Sequence, residues 1–428
     1  MAATKGWLDF LKVRASYGLV GNDKYSGARF LYLNGSWDPS HSVANFGTWG
    51  SWQFGAMYSS HMLVDAIENA AGNPVVSWEK CLKQNYGIDI VLFKQQLSIN
   101  FDYFREHRYD ILSKSNTLPG IADINLPMLN LGIVDNYGYE LSATWRSKIG
   151  HDFNYHITGN YSFSRNKIIN MDEVIPNEPY MAQTGRRTGM SYGLLFDRYL
   201  TEDDFDPVTK ELLTIEKGGT VPAITLGNPR PGDPIFKDLN GDNKIDGDDN
   251  TWFGQGQRPE SVAGLIAGFN WKNFSFSMQW TGAWNASRVL GIEYKEPFGM
   301  TNDRGLLKYL ADGRWTPENP DSRFPRISFM NKSWYNQSSD IWLMDGSYLR
   351  LKNVELAYNI PTGGFLKKLG ISSLRCYVSG YNLLTLFSEL AEIDIDPEGM
   401  TGSADLNGDY VYSYPNVRIY NMGFNITF

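Results

Sequence analysis

Long apolar runs are scarce in this 428-residue sequence, and none approaches the roughly 20 residues that an α-helix needs to cross a bilayer. That absence excludes helical membrane spans only. A tilted β-strand crosses in about 9–11 residues and can be apolar on one side alone, so a low mean hydropathy does not exclude a membrane. Cysteine is rare as well. Cys81 and Cys376 lie far apart in sequence, nothing suggests a disulfide framework or a Cys-based metal site, and each reads as a small buried or lipid-facing residue. No basic stripe offsets the net charge of −8, so nucleic acid is not an expected partner. The five histidines lack zinc spacing, and neither a serine nucleophile elbow nor a P-loop is present, so the chain reads as no enzyme. Glu202, Asp203, Asp204 and Asp206 cluster as a solvated acidic loop rather than a glycosidase pair. The opening M-A-A-T-K-G-W has neither an apolar signal core nor a lipidation signature, so export is expected to depend on an address outside this sequence.

Aromatic residues and glycine are abundant. Aromatics reach 14%, beside 42 Gly, a mixture that favours strands and turns over helical bundles. Period-two alternation recurs along the chain. Tyr137, Tyr139, Leu141, Ala143 and Trp145 interleave with Gly138, Glu140, Ser142, Thr144 and Arg146, and the chain closes on Tyr420, Met422, Phe424, Ile426 and Phe428 in the same rhythm. Such runs predict about ten strands, near 10–22, 84–93, 96–106, 134–147, 152–164, 259–271, 274–284, 342–359, 373–387 and 416–428. The connections between them alternate strictly, long then short, as the loops and turns of an outer-membrane β-barrel do. A β-sandwich, joined by Greek-key crossings, follows no such two-sided rule. The sequence therefore predicts an all-β chain of about ten antiparallel strands, with long extracellular loops, short periplasmic turns and Phe428 at the periplasmic end. Its polar faces, with Glu140, Arg146, Asn154, His156 and Gln279, are expected to line a conduit.

Two stretches hold candidate binding residues. In D-L-N-G-D-N-K-I-D-G-D-D at 238–249, Asp238, Asn240, Asp242, Asp246 and Asp249 stand at positions one, three, five, nine and twelve of an EF-hand-type loop, and Lys244 offers a backbone carbonyl at seven. Hard oxygen ligands at this spacing suit a structural Ca²⁺. Asn243 replaces the turn glycine, Asp249 replaces the bidentate Glu, and no amphipathic helices flank the loop, so a metal-free Asx-rich turn is the competing reading. The loop sits inside the very long connection at 165–258. In the first long loop, Trp49, Trp52 and Phe54 stand among glycines, and with Trp334 of a later loop they are candidate substrate contacts. Packing of loop against loop, or against a partner subunit, is the competing reading of such aromatics and the more ordinary one.

K-V-R-A-S-Y-G-L-V-G-N at 12–22 resembles the strand that precedes the C-terminal half of the barrel in SusC/RagA-type TonB-dependent transporters. The 231–246 segment P-G-D-P-I-F-K-D-L-N-G-D-N-K-I-D, R-W-T-P-E-N-P-D-S-R-F-P-R at 314–326, S-Y-L-R-L-K-N-V-E-L-A-Y-N-I-P at 347–361 and R-C-Y-V-S-G-Y-N-L-L-T at 375–385 resemble the same family, in family order. The resemblance implies that residues 1–428 are the C-terminal portion of a 22-stranded transmembrane barrel, with plug and TonB box outside it. It further implies nutrient import across the cell outer membrane, a SusD-like surface lipoprotein as lid, the TonB complex as energy source through the N-terminal region, and an oligosaccharide or peptide as substrate. An open sheet would leave edges that hydrocarbon cannot satisfy, so this portion alone is not expected to transport. A secreted, soluble glycan-binding β-protein with a calcium-stabilised loop is the alternative.

Overall fold

The computed structural model describes the chain apart from residues 1–5, 24–30, 33–36, 39–51, 54–61, 64–66, 69–71, 115–127, 226, 299–304, 330–333, 335 and 399–414. Ten strands form one antiparallel sheet in which each strand pairs with its neighbours in sequence. They are β1 (Leu8–Asn22), β2 (Glu79–Leu92), β3 (Leu97–Lys114), β4 (Met128–Ile149), β5 (Phe153–Asn170), β6 (Ser261–Trp271), β7 (Phe274–Trp284), β8 (Tyr348–Ile360), β9 (Ser373–Leu386) and β10 (Ile419–Thr427). All ten coincide with predicted strands. The sheet is open, with β1 and β10 at its two ends.

Register explains the alternation. Residues directly opposite on neighbouring strands share a face, and the ladders align Leu97, Trp145 and Ile157, then Phe101, Leu141 and Tyr161. On the last two strands Val378 meets Met422 and Cys376 meets Phe424. These residues belong to one apolar face, and it is bare: Met422 is 81% exposed and Tyr420 74%. A soluble sheet would bury such a face, whereas a lipid-facing one leaves it uncovered. Exposed Cys376 lies on this face, while Cys81 is buried.

At one end of the sheet the connections are tight. The turn at 272–273 uses Lys272 at φ 52°, and Gly150 at φ 62° opens the turn at 150–152. At the other end several strands run well past their predicted limits, to Lys114 on β3 and Asn170 on β5. Beyond Arg108 the ladder is bulged, which breaks the period-two signal although pairing continues.

The described parts of the connections at 171–260, 285–347 and 387–418 pack together at this second end as a cap. Leu343–Asp345, expected as part of β8, instead pairs with Ser287–Val289 in a separate two-stranded piece. Three apolar clusters hold the cap together. One gathers Tyr199, Leu290, Trp315, Phe324, Trp342 and Leu390 from three connections; the second packs Leu194, Phe236, Ile245 and Trp334; the third packs Leu200, Phe205, Val221 and Ile235. The sheet needs no core on its polar side, so the chain's main apolar cores lie in its loops.

Candidate functional site

The polar face of the sheet carries the densest set of chemistry-bearing side chains. Near its first strands Arg14 reaches across to two carboxylates, donating to Asp89 at 2.9 Å and to Asp102 at 2.8 Å. Gly87 sits beneath this cluster, with room for no side chain: a Cβ there would lie 2.5 Å from the Asp102 carboxylate. Next to it the ring of Phe104 lies over Gly138 in the same way. Both keep bulky groups flat against the wall.

Beside them a trough of about 430 Å³ runs across the strands. Its floor is two adjacent cross-strand rows. One consists of Asn100, Ser142, Asn160, Gly264 and Thr281; the other of Asp102, Glu140, Ser162 and Val262. Spanning β3 to β7 at about 4.8 Å per strand, the first row is about 19 Å long. Leu141, Tyr161 and Ala263 line it with main chain, since their side chains belong to the apolar face. Among the described residues, the side chains of Asn100, Glu140, Ser142, Asn160, Ser162 and Thr281 make no hydrogen bond or ion pair. Elsewhere the polar face is knitted together: Thr144 meets Thr158 at 3.1 Å, and Asn353 donates to Gln279 at 2.7 Å. Sequence reasoning placed Glu140 on this face with Arg146, Asn154, His156 and Gln279, but not the trough. The even-numbered polar positions were visible, and only register shows which of them share a row.

The acidic loop of the cap is an ordered ladder of Asx turns. Asp238 accepts the N–H groups of Gly241 and Asn243, Asn240 that of Asp242, and Asp242 that of Lys244. Asn243 adopts φ 65°, the left-handed position that glycine fills in an EF-hand loop. Asp246 caps a short turn by accepting from Asp248 N–H, and fully buried Asp249 accepts from Leu239 and Asp246. Burial pushes the Asp249 carboxyl up from its ordinary range, and the charges of Asp238 and Asp246 push it further the same way. The ligand types suit a hard cation. Their arrangement does not form a cage: among the described residues no three His, Cys, Asp or Glu side chains converge as a metal site.

The candidate aromatic contacts divide. Trp334 is 0% exposed, packed on Phe236 with ring centroids 5.0 Å apart, and its indole N–H donates to the Pro234 carbonyl at 2.7 Å. The expectation that it meets substrate is therefore corrected: Trp334 is the centre of a cap core and offers no face to a ligand. Trp49 and Phe54 lie outside the described residues; Trp52 pairs with Leu63 in a two-residue strand.

The acidic group at 202–206 is structural in part. Asp204 caps its own turn and binds Arg198 through both oxygens at 2.8 Å. Burial raises its pKa, but the Arg198 guanidinium and the Thr201 N–H outweigh it and hold the carboxyl below its ordinary value. Charge in the cap is one-sided. Residues 171–260 contain 17 Asp and Glu against nine Lys and Arg, so this single connection equals the net −8 of the whole chain.

No family model matches the chain. It is similar to TonB-dependent receptor P3 of Formosa agariphila, 26% identical over 441 residues, covering 97% of this chain and 39% of that protein. TonB-dependent receptor SusC of Bacteroides thetaiotaomicron is 23% identical over 356 residues, 82% of this chain and 32% of that one. Among solved structures, the RagAB peptide transporter matches 99% of this chain with a TM-score of 0.68 at 20% identity, over 41% of its own chain. The chain thus spans about two fifths of the length of the Formosa receptor it matches.

Proposed function

The chain is a relative of the SusC/RagA-type TonB-dependent receptors, and from that kinship we propose that it forms the C-terminal part of the barrel wall of an outer-membrane nutrient importer. The observation that carries this reading is the ten-stranded sheet itself, apolar and bare on one face, polar on the other, with tight turns at one end and a folded cap at the other. In this reading the cap is extracellular, the turns and Phe428 are periplasmic, and the polar face lines the lumen. A SusD-like lipoprotein meets the cap, and the TonB complex acts through the N-terminal region of the intact protein. The cargo is an oligosaccharide or a peptide; fold likeness to a peptide transporter favours the peptide.

A secreted glycan-binding protein is the competing reading, and handling separates the two. The native protein is expected in the outer-membrane fraction and to need detergent for extraction. Recovery from the soluble fraction without detergent would sink the importer reading.

We also propose calcium at the acidic loop, as a structural clamp. Its support is the spacing of oxygen ligands and the left-handed Asn243 at the sixth position; the lack of a converged cage stands against it. Calorimetry with calcium is expected to show one site that disappears in Asp238→Ala. No heat at millimolar calcium removes the idea.

A further inference from the structure

We propose that a basic cluster on the lipid-facing side of β3 to β5, at the cap end, binds the phosphate groups of an anionic lipid in the outer leaflet. The inference rests on the import reading, which sets the cap outside the cell, and adds a lipid partner to it. On β2 to β5, four successive cross-strand rows of that face hold no charged residue, from the row of Leu97, Trp145 and Ile157 to the row of Tyr103, Tyr139 and Phe163. The next row toward the cap sets Arg105 and Arg165 on either side of Tyr137, and the one after it sets His107 and Lys167 on either side of Asp135. Tyr137 stands eight residues from Trp145, about 27 Å along β4 and about 21 Å in height at the usual tilt. An outer-membrane apolar band is about 25 Å tall and edged by aromatics, so the cations begin where hydrocarbon gives way to headgroups.

Strand and row spacings place the four basic side chains at the corners of a patch about 10 Å by about 7 Å, within reach of one headgroup. The Arg165 guanidinium lies over the Phe163 ring at 5.4 Å and donates to both oxygens of Glu260, at 2.7 Å and 2.8 Å. Arg187 reaches the same carboxylate at 3.1 Å. Asp135 meets His107 at 2.6 Å and Arg105 at 3.4 Å. Lys167 is exposed and, among the described residues, makes no ion pair. Arg105, Arg165, Arg187 and Lys167 thus face two carboxylates, an excess of two positive charges before His107 is counted, in a chain whose net charge is −8. Guanidinium groups bind phosphate oxygens in pairs, and the stems of Arg and Lys stay in the apolar layer while their charged heads reach the headgroups. The face is the outer one, so nothing that fills the lumen covers it.

Native mass spectrometry of the intact protein, purified from outer membranes and freed of its own lipid by detergent exchange, reads bound lipid and oligomeric mass together. The probes are lipid A, a phosphorylated glycolipid, the same lipid stripped of its phosphates, and inorganic phosphate as competitor. The variants are Lys167→Gln, Arg105→Gln, the two together, and Lys368→Gln, which removes an exposed cation at the tight-turn end. Arg165 is left in place because buried Glu260 would lose its bidentate partner. The native protein is expected to prefer lipid A to the stripped lipid. Each single variant at the cluster should lose about fivefold in affinity for lipid A and the double variant about 25-fold, with no loss in Lys368→Gln. Millimolar inorganic phosphate is expected not to displace the lipid. No preference for the phosphorylated lipid, native binding by the double variant, or an equal loss in Lys368→Gln overturns the proposal. Displacement by inorganic phosphate would make the cluster a site for free anions, and a changed oligomeric mass with lipid binding intact would make it a contact between copies; each overturns the lipid assignment. In all these cases the importer reading stands while the protein stays in the outer-membrane fraction, and it falls with this inference only if the protein is recovered without detergent.

Discussion

Met422→Arg should leave little of the protein assembled in the outer membrane, while Asn421→Arg, one residue earlier, should leave it at nearly native levels. Both lie in the middle of β10 and differ in the face they present. Met422 is 81% exposed on the apolar face and pairs with Val378, so an arginine there must enter hydrocarbon, at a cost of about 2–4 kcal/mol near the midplane. Asn421 pairs with Ser379, which in turn pairs with Glu355, so an arginine there meets water and a carboxylate in its own row. Folded protein is read by resistance of the band to detergent without heating. Equal loss in both variants would mean that the faces have been assigned wrongly.

The second large effect is expected at the base of the cap. Arg350, with 5% of its side chain exposed, donates to Asp396 and Glu398 at 2.8 Å and to the Thr385 hydroxyl at 3.0 Å. Lys352 joins Glu398, and Asn416 donates its N–H to Asp396 and its side-chain amide to Glu398. One arginine on β8 thus gathers residues from both ends of the connection between β9 and β10. Arg350→Ala leaves two partly buried carboxylates facing each other, a change that costs about 3–5 kcal/mol when a buried pair is broken. The expected readout is faster proteolysis and hydrogen exchange at 387–398, with β4 and β5 unchanged. Unaltered protection of that segment would show that the apolar cluster around Leu390 holds it alone.

This cluster also fixes a pH dependence. Burial raises the Asp396 carboxyl, but the Arg350 guanidinium and the N–H groups of Glu398 and Asn416 outweigh it, and the folded value falls below the ordinary one. A carboxylate lowered on folding stabilises fully above its unfolded value of about 3.9 and loses that contribution as pH falls through the lower folded value. The native cap is therefore expected to hold at neutral pH and to loosen at the 387–398 segment below about pH 4. In Arg350→Ala, where the burial of Asp396 is no longer offset by a cation, the further loosening on acidification should shrink, because protonation then relieves a buried charge.

Much of the wall was legible in the order of residues. Period-two alternation marks a strand wherever one face meets lipid and the other water, because the two solvents select opposite residue types at successive positions. The signal failed where the strands leave that environment. β3 past Arg108 and β5 past Ser164 continue as ladders among cap residues, where neither solvent imposes a rhythm. The cap was less legible. Trp334 reads as an exposed loop aromatic because its neighbours are polar, yet Phe236, nearly a hundred residues earlier, closes over it.

The sequence by itself determined the strands, their two faces, the alternation of connections and the family the chain is related to, since each of these is written in local periodicity or in short contiguous motifs. Tertiary structure alone decided which polar residues share a row, which carboxylates are neutralised and which aromatics are buried. Those properties depend on register between strands and on contacts across long connections. Glu140 is one of several polar positions on its strand in the sequence, and only the alignment of β3 to β6 sets it in one row with Asp102, Ser162 and Val262.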